Sequence, residues 1–199
     1  MCTKGLKRHG HEQTLSGRHT EFRRSPQQGY IYVDKTSLLY TMVQTGKYYF
    51  LSRPRRFGKS LMISTLEAYF LGKRELFKGL AMESLEKDWT VHPVLHMDLN
   101  TEKYDTEASL ENKLELTLKQ WEAEYGHNPD EYSVATRFEG VIRRAAKKMG
   151  QKVVILIDEY DKPMLQAITN PELQTKFVIR SKHSMARSSR ATVPFILLC

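Results

Sequence analysis

From residue 30 onward the chain alternates short apolar runs with segments of helical period, whereas residues 1–29 show neither. There Leu6, Leu15 and Phe22 stand isolated among Gly, His, Arg, Ser and Gln, which predicts a poorly structured basic segment. "YIYVDK" (30–35) is aromatic and β-branched, as a short strand requires. "TSLLYTMVQTG" then predicts a helix that starts at Thr36 or Ser37 and stops at Gly46. "KYYFLS" (47–52) is a second strand, with Tyr48, Tyr49 and Phe50 expected in the core. "SLMISTLEAYFLG" (60–72) is a helix with Leu61, Ile63, Leu66, Tyr69 and Phe70 apolar and Gly72 as its stop.

Further along, "HPVLHMDLN" (92–100) is a proline-entered strand. "EASLENKLELTLKQWEAEY" (107–125) sets Leu110, Leu114, Leu118, Trp121 and Tyr125 near one helical face. "TRFEGVIRRAAKKMG" (136–150) is an amphipathic helix whose Arg143, Arg144, Lys147 and Lys148 form a solvated face near its C-terminus, where the dipole favours cations. In "QKVVILIDEYDKP" (151–163), Val153 to Ile157 are consecutive apolar residues, the mark of a strand buried on both faces. Strands alternating with helices predict an α/β fold with a mainly parallel sheet flanked by helices.

The chain has 199 residues, 40% hydrophobic and 27% charged, enough for one domain with a sizeable core. Its net charge of +8 suggests a nucleic-acid binder until it is divided along the chain. Residues 1–29 carry six Lys/Arg against two Asp/Glu, and residues 178–199 carry four against none. Of the totals of 31 and 23, that leaves 21 of each sign between them, so the body is neutral. The first thirty residues lack the apolar stretch of a secretory signal, and no run suits a bilayer span; no membrane partner is expected. Cys2 and Cys199 have neither metal-type spacing nor a disulfide framework, so a cytoplasmic location is expected.

The chemistry begins at "SRPRRFGKSL" (52–61). A phosphate-binding loop needs a strand feeding it, backbone amides curling round the phosphates, and a helix starting behind them. Here an apolar strand precedes the loop and a helix follows it. The expected nucleotide contacts are Arg53, Pro54, Arg55, Arg56, Phe57, Gly58, Lys59, Ser60 and Leu61. Lys59 would supply the charge at the phosphates and Ser60 would ligate Mg²⁺. Arg53 stands where the G-x-x-x-x-G-K-[ST] pattern has its first glycine, and the alternative is a basic strand–helix turn with Lys59 solvated. The strand end "VVILIDEY" weighs against that alternative: Asp158 is placed to hold the metal with Ser60, and Glu159 to polarise the attacking water. Arg55 and Arg56 would neutralise phosphate charge or act on a neighbouring subunit, unless they only line a solvated turn. Asp34 and Lys35 are candidate nucleotide contacts. Asp161 would orient Glu159 or the water, or cap the next turn, and Asp98 is read as structural.

"YIYVDKT", "GKYYFLSRPRRFGKSL", "LFKGL", "LEKDWTVHPVLHMDL" and "KVVILIDEYDKP" together resemble the AAA-ATPase-like domain of a large set of bacterial proteins, over Tyr30 to about Phe177. The altered loop with its arginine pair is usual in that family. The resemblance implies a P-loop NTPase of the additional-strand type, with the Walker strand between the loop strand and its neighbours. It also implies ATP and Mg²⁺ as cofactors, and members often continue into a nuclease-like domain of the PD-(D/E)xK type. The implied activity is Mg-dependent ATP hydrolysis coupled to an unidentified process. The alternatives are a non-hydrolysing nucleotide-gated switch, or a nucleic-acid-associated component of a defence or mobile-element system. Expected partners are the nucleotide and a second copy or a partner protein, with nucleic acid entering only through parts outside this chain.

The same resemblance divides the chain into a basic N-terminal segment (1–29), a partial ATPase domain (30–181) and an aberrant tail (182–199). The family pattern L-P-x-G-I-Q-x-F is missing before Tyr30, but codons for residues 15–29 shifted by one nucleotide near Ser16 can encode it. "HSMARSS" (183–189) can likewise encode F-Y-G-A-L-K-S one frame over. Both ends are therefore expected to be frameshift products. The fold would be incomplete at the C-terminus, its sheet left with an exposed edge for want of a fourth strand.

Overall fold

The computed structural model describes residues 7–8, 11–12, 14–15, 30–31, 33–46, 48–51, 57–100, 103–104, 106–163 and 195–198. Two short pairings lie near the start: β1 (Lys7–Arg8) runs antiparallel to β2 (His11–Glu12), and β3 (Thr14–Leu15) runs parallel to β4 (Tyr30–Ile31). The chain divides into two compact units, Met1–Gly46 with Pro54–Thr90, and Lys47–Arg53 with Val91–Cys199. The strand that feeds the 52–61 loop belongs to the second unit and the helix that follows it to the first.

The first unit is helical beyond residue 35. It holds α1 (Thr36–Thr45), α2 (Lys59–Phe70), a 3₁₀ turn (Arg74–Phe77) and α3 (Ala81–Leu85). Ile63, Leu66 and Phe70 of α2 are buried, as are Phe77, Met82 and Trp89. Phe77 and Trp89 meet at a 52° tilt with 5.1 Å between ring centroids, and Tyr69 meets Trp89 edge-on at 6.0 Å. The Tyr69 hydroxyl donates to Glu86 at 2.5 Å; burial and that carboxylate both push it above the usual phenol range.

The second unit is built on a four-stranded parallel sheet ordered β5–β8–β7–β6. Its strands are β5 (Tyr48–Leu51), β6 (Val94–Asp98), β7 (Val154–Asp158) and β8 (Phe195–Leu198). Two helices, α4 (Glu107–Tyr125) and α5 (Val134–Met149), separate β6 from β7 in sequence. Leu118, Trp121 and Tyr125 of α4 join Val141, Ile142 and Ala145 of α5 in one cluster with Leu95, Met97 and Ile155 of the sheet. Both helices open on capping boxes, Thr106 with Ser109 and Ser133 with Thr136, and α5 ends on Gly150 at φ 64°. These closures satisfy amides and carbonyls that a helix end otherwise leaves unpaired.

Three expectations are corrected. The sheet does not lack its fourth strand: Phe195–Leu198, within the tail read as aberrant, pairs with β5 on one side and β7 on the other. The strand ending in Asp158 is consequently not the neighbour of the loop strand, because β8 lies between them. Phe50 is 62% exposed rather than in the core.

The α4–α5 pair is tied by buried charge. Arg137 donates to Glu122 through Nε and Nη2, both at 2.8 Å, and to Glu115 through Nη1. The Arg137 hydrogen bonds hold the Glu122 carboxyl down at about 2. Glu131, whose side chain is 8% exposed, receives Arg144 Nη1 on both oxygens at 2.8 and 2.9 Å. Gly140 makes room for that carboxylate: a Cβ there would lie 2.0 Å from Glu131 Oε1 and 2.2 Å from its Cδ.

Gly140→Ala should therefore be strongly destabilising. Alanine raises helix propensity by about 1 kcal/mol. Displacing a buried carboxylate from its arginine costs about 3–5 kcal/mol, so the clash wins. Urea denaturation should show a net loss of about 2–4 kcal/mol by this balance. An unchanged or raised midpoint would mean that Glu131 relocates without cost.

Candidate functional site

On the helix side, Gly58 is the N-cap of α2 in the left-handed region, φ 76°. Nothing lies within 4 Å of where its Cβ would stand, so backbone conformation rather than space calls for glycine here. Lys59 is the first residue of α2 and is only 7% exposed. Ser60 and Leu61 follow it, both half-buried, in the first turn, where amides and dipole favour an anion. Phe57 is largely exposed. Arg53, Pro54, Arg55 and Arg56 lie outside the described residues.

On the sheet side, β7 ends at Asp158, which is 6% exposed and in register with Asp98 at the end of β6. Leu51 pairs with Leu198 and Ile157 with Leu197, so β5, β8, β7 and β6 all finish along one edge. The strand that enters the loop is thus two strand spacings, about 10 Å, from the strand that delivers Asp158. In open parallel α/β sheets, the carboxyl ends of the strands are where ligands bind.

The turn after Asp158 is unusual. Glu159 sits at φ +54°, a conformation that costs a non-glycine residue about 1–3 kcal/mol and persists only where its surroundings hold it. Its amide donates to Asp158 Oδ1 at 2.9 Å, and its carbonyl accepts from the Lys162 amide at 3.0 Å. The Asp158 carbonyl accepts from Leu99 N at 3.1 Å. Asp98 is structural as expected, its Oδ1 accepting from Asn100 N at 2.7 Å. Asp161 Oδ1 is buried without a hydrogen-bond partner, so that oxygen does not cap the turn.

Two further expectations change. Asp34 spends both oxygens on the fold: Oδ1 accepts from the Thr36 amide at 2.8 Å and hydroxyl at 2.7 Å, and Oδ2 from the Ala81 amide at 2.7 Å. Thr36 Oγ1 in turn accepts from Met82 N at 3.0 Å. Burial raises the Asp34 carboxyl, yet these hydrogen bonds outweigh it and leave it below the usual range. Asp34 is thus a staple between the starts of α1 and α3. The basic face of α5 is also partly engaged: Arg144 and Arg143 pair with Glu131, and Lys148 donates to the Glu124 carbonyl and lies 5.5 Å from the Tyr125 ring centroid.

Among the described residues no group of three or more His, Cys, Asp or Glu gathers as a metal cage. Among the described residues no helix is long and apolar enough to cross a membrane.

The chain is 38% identical over 172 residues to an uncharacterized protein in the vnfD 5′ region of Azotobacter chroococcum mcd 1; the alignment covers 85% of this chain and 33% of that protein. The chain thus spans about a third of the length of that relative. No solved structure matches. The family model described as Predicted AAA-ATPase matches residues 19–199, through β8, and the chain belongs to that family.

Proposed function

We propose that this chain binds Mg-ATP through residues 53–61 and hydrolyses it with Glu159 as general base. The observation that carries this is the common sheet edge: β5, which enters the loop, and β7, which delivers Asp158, are parallel and end together with one strand between them. Lys59 and the first-turn amides of α2 would hold the β- and γ-phosphates. When bound with the nucleotide, Mg²⁺ would neutralise phosphate charge, and Ser60 and Asp158 are the residues to hold it. Asp158 already receives the Glu159 amide on one oxygen, which orients its carboxylate. Glu159 would accept the proton of the attacking water.

A non-hydrolysing switch would need Lys59, Ser60 and Asp158 but not a carboxylate at 159. The left-handed backbone at Glu159 favours hydrolysis, since strain of that kind gathers where chemistry requires a side chain to point one way. A nucleic-acid role for this part of the protein is disfavoured by the neutral body and by the engaged cations of α5. Calorimetric titration of the full chain with ATP is the direct test. Saturable heat that requires Mg²⁺ is expected, and its absence overturns the proposal.

A further inference from the structure

We propose that Lys162 is a positioning residue for the hydrolysis assigned above: its ammonium ties the turn that carries Glu159 to the segment that leaves β6. This inference rests on the proposed ATPase activity and adds to it a residue that contacts neither the nucleotide nor the metal.

Lys162 closes the turn twice. Its backbone amide donates to the Glu159 carbonyl at 3.0 Å, which makes the Asp158–Lys162 stretch a tight loop. Its side chain then reaches 62 positions back in sequence, where Nζ donates to the carbonyl of Asn100 and to Asn100 Oδ1, the latter at 3.2 Å. Asn100 is itself fixed, because its amide donates to Asp98 Oδ1 at 2.7 Å. Asp98 pairs in register with Asp158, and Leu99 N donates to the Asp158 carbonyl at 3.1 Å. The ends of β6 and β7 and the turn beyond them therefore form one closed ring of contacts. The Lys162 ammonium is the side-chain link that closes it.

The ring matters because of what it holds. Glu159 adopts φ +54° without being glycine, so a relaxed turn would let it fall back to the ordinary region and swing its carboxylate. A general base displaced by about 1 Å loses rate by as much as a hundredfold, while phosphate binding, made elsewhere, is unaffected. An ammonium group suits this link, because three donors on a long stem can serve two acceptors on one residue. Methionine at this position would keep the stem and remove the link, and arginine would restore it through its fork of donors.

The experiment compares the wild-type chain with Lys162→Met and Lys162→Arg, using three readouts: amide hydrogen exchange without nucleotide, the Kd for Mg-ATP, and kcat. In Lys162→Met, amides of residues 159–162 should exchange about fivefold faster, the scale of one partly exposed hydrogen bond to a charged group. Those of α4 and α5 should not change. The Kd should stay within about twofold while kcat falls about tenfold or more, since only the position of the base is altered. Lys162→Arg should recover most of kcat. Unchanged exchange in Lys162→Met, or a Kd that worsens in step with kcat, overturns the proposal. If the wild-type chain turns over ATP and Lys162→Met matches it, Lys162 alone loses its role. If the wild-type chain binds Mg-ATP without turnover, the hydrolysis proposed above falls and this inference falls with it.

Discussion

Glu159→Gln in the full chain should bind Mg-ATP as the wild type does and lose turnover by about 10²–10⁴-fold, the span that general-base catalysis supplies. The amide fills the space of the carboxylate, and it can still accept a hydrogen bond from water. It cannot take the proton. The backbone conformation at 159 should survive, because the amide's bond to Asp158 Oδ1 and the carbonyl's bond from the Lys162 amide are untouched by the substitution. Asp158→Asn provides the contrast. It replaces the carboxylate proposed to hold Mg²⁺ at the end of β7 by a neutral amide, so both Mg-ATP affinity and turnover should fall. Single-turnover phosphate release beside a binding isotherm separates the two effects. A Glu159→Gln protein with wild-type turnover would move the base elsewhere. The nearest candidate is then Asp161, whose buried Oδ1 has no partner.

Features with strong local signals were predictable from the sequence. The apolar face of α4 runs Leu110, Leu118, Trp121, Tyr125 as its spacing requires, and the observed bounds Glu107–Tyr125 coincide with the predicted ones. The apolar run Val153 to Ile157 leads into and fills most of β7 (Val154–Asp158), buried from Val153 to Leu156, as a strand covered on both faces should be. Gly58, Lys59 and Ser60 stand at a helix N-terminus because the loop pattern demands one there. What escaped was non-local. "FILL" at 195–198 carries no mark of which strands it separates, since parallel pairing is decided by partners some 40 and 145 positions away in the sequence. Phe50 has strand character, but its exposure depends on what covers its face of the sheet, which strand pattern alone does not reveal. The duty of Asp34 depends on Ala81, and that of Gly140 on the Glu131 carboxylate, neither of which periodicity reveals. Lys162 had a signal that was available, a lysine directly after "DEYD", yet its partner Asn100 emerges only when β6 and β7 pair.

Lys59→Ala should weaken Mg-ATP binding by about ten- to a hundredfold or more, the cost of one or two hydrogen bonds between charged groups. The position of the residue makes this outcome separable from unfolding. Lys59 opens α2, where the helix dipole disfavours a cation by about 0.3–1 kcal/mol, and alanine is the best helix former available. Against this stands the loss of the contacts that the Lys59 side chain, on a residue only 7% exposed, makes in the folded chain. These terms oppose each other, so the thermal midpoint without nucleotide should shift by only a few degrees for a domain of this size. With nucleotide the two proteins should diverge. Mg-ATP at a hundred times its Kd adds about 2.7 kcal/mol to the stability of the wild type, and most of that increment should vanish in Lys59→Ala. Thermal denaturation with and without Mg-ATP, alongside calorimetry, reads both quantities in one preparation. Equal stabilisation of the two proteins by Mg-ATP would place the phosphates away from α2.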